Sequence, residues 1–345
     1  MPFYNSTSII FKIGVIYWVL VFVSGMGCNS TSEKQEIKNS DPEIEAINTE
    51  IKKNPGNASL YYLRAQKFYK KGSFDNSIID LQQAISIDSL NPDFYHLLSD
   101  VYLDYYNSKE ALKTMMKVLA IYPERIPSLL KLAELKFILE DYDNSILTIN
   151  EIVRLDAQNA DAFFMLGMNF RALGDRERAI NAFQTAVEMK SSITDAWIIL
   201  GELYEEKKDP KAIKYYESAI ISNPKSMQAL HAKAYFLQNH GDITGAQKLY
   251  REIITTDKSY EDAYLNSGLL YLETDSIDRA YEQFNILTGI APANYMGYYL
   301  RGVVNEKKGN KTDAIKDYES AHHLNSDDKK VQKALETLKN QSLNN

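Results

Sequence analysis

Small side chains recur along this chain at a fixed interval. Ala65, Ser99, Ala133, Gly167, Gly201, Ala234, Gly268 and Gly302 are 34 residues apart at every step but one, where the interval is 33. Two further ladders keep the same frame. One runs Ser77, Ala111, Ser145, Ala179, Ala212, Ala246, Ala280, Ala314 and the other Ala84, Val118, Ile152, Ala186, Ala219, Ile253, Leu287, Ala321. The missing residue therefore falls inside "GELYEEKKDPKA", residues 201–212. A repeat of this length is one supersecondary unit that buries its apolar face by stacking on its neighbours. Short side chains at fixed places let two antiparallel helices approach closely while larger neighbours interlock around the contact.

Turn residues punctuate the ladders where a helix–turn–helix unit needs them. Gly72, Gly174, Gly241 and Gly309 can take the left-handed conformation that ends a helix, and polar runs such as "GDRERA" and "GNKTDA" can cap the next one. Pro123, Pro224 and Pro292 follow the second helix of their units, where a residue unable to continue a helix does no harm. In "DAFFMLGMNFRAL", Phe163, Leu166, Gly167 and Phe170 recur at steps of three and four, a buried helical stripe. Composition agrees: 15 Gly and 9 Pro in 345 residues are few for an all-β chain, and the 24 Tyr suit half-buried seams between helices.

These residues resemble the 34-residue tetratricopeptide repeat, or TPR. The unit "ADAFFMLGMNFRALGDRERAINAFQTAVEMKSS" carries the pattern in Phe163, Leu166, Gly167, Phe170, Gly174, Ala179, Phe183 and Ala186, and "TDAWIILGELY" repeats it in Trp197, Leu200, Gly201 and Tyr204. The resemblance implies an all-α, right-handed superhelical solenoid of antiparallel helix pairs, with eight units over residues 58–328. The third unit departs most, with Lys136 in an aromatic slot and Glu140 in the glycine slot. Residues 42–57 are expected to form a leading helix and linker. Residues 329–345 are expected to form a capping helix and tail, with Val331, Ala334, Leu335 and Leu338 on one face.

Repeats and caps occupy nearly everything from residue 42 onward, so no stretch is left for a catalytic domain, and an enzyme is not expected. There is no GxxxxGK[ST] loop, HExxH pair or GxSxG elbow. The five histidines are scattered apart from His322 and His323, which point about 100° apart on a helix and suit a solvated helix end better than a shared metal. Asp141 and Asp143 have calcium-like spacing without the glycine and distal glutamate of a calcium loop, and are read as caps of the next helix. One cysteine permits neither an internal disulfide nor a cysteine-based zinc site. No cofactor or metal is expected. The net charge of −7, without a dense Lys/Arg block, argues against nucleic acid as partner.

By the resemblance, the first helices of the units line a concave groove that takes a partner. The residues this places there are Tyr62, Asp100, Glu134, Phe137, Phe164, Met168, Glu202, Glu205, Tyr235, Leu269 and Tyr299. Carboxylates with apolar pockets between them suit a protein or peptide segment carrying apolar anchors and basic residues. The bland alternative is a solvated face, since acids near helix starts, such as Asp161, Asp195 and Asp262, stabilise the helix dipole without a ligand. The Lys and Asn pattern with which chaperone-binding TPR domains hold a terminal carboxylate is not present at these positions.

Ahead of the repeats, Ile13 to Met26 carries no charged residue and would make ~21 Å of helix, short of a bilayer core but suited to a signal peptide. Gly27 precedes Cys28, and a polar stretch follows. This resembles a bacterial lipoprotein signal, although Gly25 stands where an aliphatic residue is usual. The resemblance implies a signal peptide over 1–27 and a lipidated Cys28 followed by a polar tether over 28–41, the rival being an uncleaved anchor that includes Ile9 to Phe11. Asn29 after the cysteine favours the outer membrane over inner-membrane retention. The expectation is a lipid-anchored adaptor or assembly scaffold at the bacterial cell envelope, facing periplasm or surface. The alternative is a non-catalytic regulatory subunit of a membrane-associated enzyme complex that uses the convex face.

Overall fold

The computed structural model describes residues 41–343. Cys28 and the signal-peptide expectation lie outside the described residues. All regular structure among them is helical, eighteen helices without a strand. The first helices of the repeats are α2 (Ala58–Lys70), α4 (Pro92–Asp104), α6 (Ile126–Ile138), α8 (Ala160–Ala172), α10 (Thr194–Glu206), α12 (Met227–Asn239), α14 (Glu261–Glu273) and α16 (Tyr295–Lys307). Their partners are α3 (Phe74–Ile87), α5 (Ser108–Ile121), α7 (Tyr142–Leu155), α9 (Arg176–Met189), α11 (Ala212–Ser222), α13 (Ile243–Thr256), α15 (Ile277–Ile290) and α17 (Lys311–Leu324). We call the two sets A and B. The chain divides into two compact units, one ending at Ala157 with three repeats and one beginning at Gln158 with five.

The A–B turn has one geometry throughout. Its second residue has positive φ in all eight repeats: Gly72, Gly174, Gly241 and Gly309 at 69–83°, and Tyr106, Glu140, Lys208 and Asp275 at 53–60°. Left-handed backbone at a helix C-terminus is free for glycine and strained for a residue with a Cβ. The third repeat therefore keeps the common turn despite Glu140. Its Lys136 donates to Thr148 Oγ1 at 2.8 Å instead of packing as an aromatic ring. Asp141 stands at the N-cap of α7, but its carboxylate accepts from Asn144 Nδ2 at 2.9 Å and makes no backbone cap bond.

The register slip is confined to one repeat. Every A helix has 13 residues and every other B helix has 14, whereas α11 has 11 and begins after Pro210. The lost residue falls within 209–211, between the A–B turn and Ala212, and α11 starts three residues later in the frame than the other B helices.

Within each repeat, the small slot on helix A faces one large residue on helix B, and the two sizes compensate. Where the slot is glycine the partner is aromatic: a Cβ on Gly167 would lie 2.7 Å from Phe183, and on Gly201, Gly268 and Gly302 it would meet Tyr216, Phe284 and Tyr318 at 2.5–2.7 Å. Where the slot holds Ala65, Ser99 or Ala133, the equivalent partners are Leu81, Met115 and Ile149, all fully buried. Ala234 with Tyr250 departs from the rule. Buried serines of the second ladder are satisfied across the same seam, Ser77 and Ser145 donating to the carbonyls of Ala65 and Ala133 at 2.9 and 2.8 Å.

The two remaining helices extend the frame. Helix α1 (Pro42–Lys53) ends 34 residues before α3, as a B helix would, and α18 (Lys329–Leu343) begins 34 after α16, as an A helix would. Side-chain contacts repeat as well. Arg64 forks onto Asp80 at 2.6–2.7 Å and donates to Asn48 of α1, sixteen residues upstream; Arg301 forks onto Asp317 and donates to Asn285, also sixteen upstream, at 2.8 Å. Ile47 of α1 is buried in the slot of Leu81. The chain thus carries a B-only half repeat ahead of its first repeat and an A-only half repeat after its last. Glu43, Glu50 and Glu336 occupy slots where complete repeats place small or aliphatic residues, and all three are exposed.

Candidate functional site

The A helices carry the predicted residues, and each unit presents its own face. In the N-terminal unit, Tyr62 on α2 packs its ring 5.1 Å from that of Phe94, and Phe137 on α6 lies 5.5 Å from Tyr142. Asp100 on α4 pairs with Lys131 of α6 at 2.7 Å, and the same ammonium reaches Glu134 at 3.0 Å. Burial pushes the Asp100 carboxyl above the usual carboxylate range, against the pull of Lys131. One helix end away, Asp104 accepts from Tyr69 Oη at 2.5 Å.

In the C-terminal unit, Phe164 meets Phe183 edge to face at 5.6 Å, and Met168 is buried. Glu202 pairs with Arg171 of the preceding A helix at 2.7 Å, and burial lifts its carboxyl while Arg171 opposes the shift. Glu205 accepts from the buried Tyr216 Oη at 2.8 Å. The same bond recurs from Tyr318 to Glu306 at 2.8 Å and from Tyr250 to Gln238 at 2.9 Å, while repeats with Phe183 or Phe284 in that slot carry Arg171 or Leu272 opposite. Tyr235 stacks over His231 at 6.4 Å, Leu269 is half-buried against the Tyr264–Val304 cluster, and Tyr299 lies 5.8 Å from Tyr318.

The carboxylates expected on these faces are therefore already engaged inside the chain, some by cations and some by tyrosine hydroxyls. Asp100, Asp104, Glu134, Glu202 and Glu205 each hold a partner, and Glu206 pairs with Arg176 at 3.0 Å. Lys131 and Arg171 are the counter-charges to Asp100, Glu134 and Glu202. The apolar side chains that the A helices leave half-exposed are Phe164 on α8, Leu269 and Leu272 on α14, and Tyr299 and Val303 on α16; Asp100, Glu134, Arg171, Glu202 and Glu205 are half-exposed as well.

A buried polar group between α12 and α14 was not expected from the sequence. His231, Gln238 and Asn266 are at most 4% exposed, and Asn266 Nδ2 lies 2.9 Å from His231 Nε2. Tyr235, Tyr250 and Tyr260 surround the imidazole with ring centroids 5.7–6.4 Å away. His231 Nδ1, Gln238 Nε2 and Asn266 Oδ1 have no protein hydrogen-bond partner. Burial pushes the imidazole pKa down, with Asp262 in opposition. Asn266 among the Leu and Tyr of α14 was the only signal in the sequence. No group of three or more ligating side chains among the described residues is placed to hold a metal ion.

Residues 164–226 and 58–89 match tetratricopeptide-repeat family profiles. The chain carries tetratricopeptide repeats. The TPR repeat-containing protein MJ1428 of Methanocaldococcus jannaschii is 23% identical over 266 residues, 71% of this chain and 46% of that protein. The human mitochondrial import receptor subunit TOM70 is 21% identical over 305 residues, 84% of this chain and 49% of TOM70. The chain spans about half or less of the length of the TPR relatives it matches first. Among solved structures, the APC/C hetero-tetramer Cut9–Hcn1 has a similar fold, with a TM-score of 0.53 at 16% identity, covering 90% of this chain and 60% of that one. That similarity speaks for the TPR fold alone.

Proposed function

We propose that this protein is a lipid-anchored scaffold at a bacterial cell envelope that holds a partner protein or peptide on its A-helix faces. TPR repeats are protein-interaction modules, which supports the scaffold reading. The observation that carries the choice of face is the row of half-exposed apolar side chains on α14 and α16, Leu269, Leu272, Tyr299 and Val303. Apolar anchors are the main recognition term for such a partner, because basic residues must enter pre-existing networks such as Lys131–Asp100 and Arg171–Glu202. Anchoring through Cys28 rests on the lipoprotein-like stretch of sequence. No helix among the described residues is long and apolar enough to cross a membrane.

A second reading, a regulatory subunit that binds through its B helices, draws on Ile79, Met116 and Leu147, which are 60–65% exposed on α3, α5 and α7. Photo-crosslinking residues installed at Leu269 and Tyr299, and separately at Ile79 and Leu147, distinguish the two in intact cells. Adducts with one protein from the first pair support the A face; adducts from the second pair alone replace it with the B face. The mass of the mature N-terminal peptide tests lipid on Cys28.

A further inference from the structure

One edge of the N-terminal unit combines backbone strain, exposed aromatic surface and the point where the chain leads toward residue 28. The edge is formed by consecutive A–B turns. In the first, Lys71 and Gly72 precede Phe74; in the second, Tyr105 and Tyr106 hold the equivalent places. The turns touch: Phe74 lies 5.4 Å from Tyr105 and 6.2 Å from Tyr69, and Tyr105 Oη donates to Asp75 at 3.4 Å. Tyr106 then projects with 89% of its surface exposed at φ 57°. A bulky side chain in left-handed backbone is an outlier, and four other repeats avoid the strain with glycine. Glu140, Lys208 and Asp275 share this backbone, but only Tyr106 puts an aromatic ring there.

The start of the first described helix sits on this edge. Asp41 caps α1 by accepting from Glu43 N at 2.8 Å, and its carboxylate also pairs with Lys71. From Asp41 the chain has thirteen residues to Cys28, at most about 45 Å when fully extended. A membrane anchor at Cys28 would join the repeats at this edge, about 20 Å, one helix length, from the opposite B-to-A loops. The edge carries more acids than bases, exposed Lys70, Lys71 and Lys109 standing with Glu43, Asp75, Asp104, Glu140 and Asp141. Tyrosine suits such a place because one end of the ring is apolar and the other takes water or a headgroup.

We propose that the A–B turn edge of the N-terminal unit rests on a lipid bilayer, with Tyr105 and Tyr106 seated in the headgroup layer. This rests on the anchored reading above. The contact fixes which way the repeats face from the membrane and needs no net positive charge.

The test uses the full-length protein, expressed in a host that processes lipoproteins and extracted into lipid nanodiscs. A cysteine-reactive fluorophore is placed through Lys109→Cys on this edge or Ser89→Cys on the opposite one, and brominated phosphatidylethanolamine and phosphatidylglycerol supply the quencher. Several-fold stronger quenching at 109 than at 89, reduced by Tyr106→Gly, is the expected result. Equal quenching at both sites, or no effect of Tyr106→Gly, overturns the proposal. Shielding at 109 in cells that vanishes in nanodiscs also overturns it, in favour of a protein partner. The anchor is read separately: a lipidated Cys28 peptide in the same sample keeps the anchored reading whatever the quenching shows, and a free Cys28 thiol removes both.

Discussion

Gly167 lies directly beneath the ring of Phe183, close enough that a Cβ would stand 2.7 Å from Cδ1. Gly167→Ala is expected to destabilise the protein by about 1–3 kcal/mol, because a methyl group forced into a filled seam outweighs the helix propensity it adds. Phe183→Leu in the same chain should recover much of that loss by copying the Ala65–Leu81 pairing. Urea midpoints for both singles and the double give the coupling, and additive effects would show that the size compensation is accidental.

Strain in the A–B turns can be relieved one residue at a time. Glu140→Gly should stabilise by up to about 1 kcal/mol, and Gly174→Ala should destabilise by about the same amount. The pair of denaturation curves is the check, with opposite shifts in midpoint as the expected outcome.

Acid should weaken the C-terminal unit through His231. Burial lowers the folded-state pKa of the imidazole, so the unfolded chain binds the proton first. The neutral histidine's contribution is complete above the ordinary imidazole pKa of about 6.5 and is lost progressively as pH falls from there through the folded value. The titratable groups around the ring are Asp262, Tyr235, Tyr250 and Tyr260, of which only Asp262 works against the loss. Thermal unfolding between pH 4.5 and 7.5 should flatten in His231→Gln; an unchanged profile would place the acid sensitivity elsewhere.

The fork between Arg301 and Asp317 is a costly polar contact to break. Asp317 is 5% exposed and also accepts from Asn305 Nδ2 at 2.9 Å. Arg301→Met leaves that carboxylate buried without its cation and should cost about 3–5 kcal/mol, whereas adding Asp317→Asn to it should restore part of the loss. Calorimetry of the three variants measures the difference.

The architecture was legible because helix pairs need short residues at fixed steps, and those steps survive in eight registers. The glycine turns and the prolines after α5, α11 and α15 lie where the sequence placed them. The half repeats were harder to read as such, since Glu43, Glu50 and Glu336 interrupt the ladders at both ends. The candidate faces were legible as positions but not as chemistry. Spacing finds Asp100 and Glu202, yet only packing reveals that Lys131 and Arg171 neutralise them, because an ion pair between neighbouring A helices joins residues 31 apart. His231 and Asn266 stayed hidden for the same reason, lying 35 residues apart in sequence.

The A-only and B-only helices at the two ends are complementary halves of a single repeat. Helix α18 of one molecule laid against α1 of another would complete that repeat and leave the next pair of ends open, the head-to-tail geometry from which filaments grow. Glu336 would then face Glu43 and Glu50, three carboxylates crowded into a seam that complete repeats fill with short uncharged side chains. Those three glutamates stand where a completed seam needs short uncharged side chains, so Glu43→Ser, Glu50→Ala and Glu336→Gly together are expected to raise head-to-tail association, read by sedimentation.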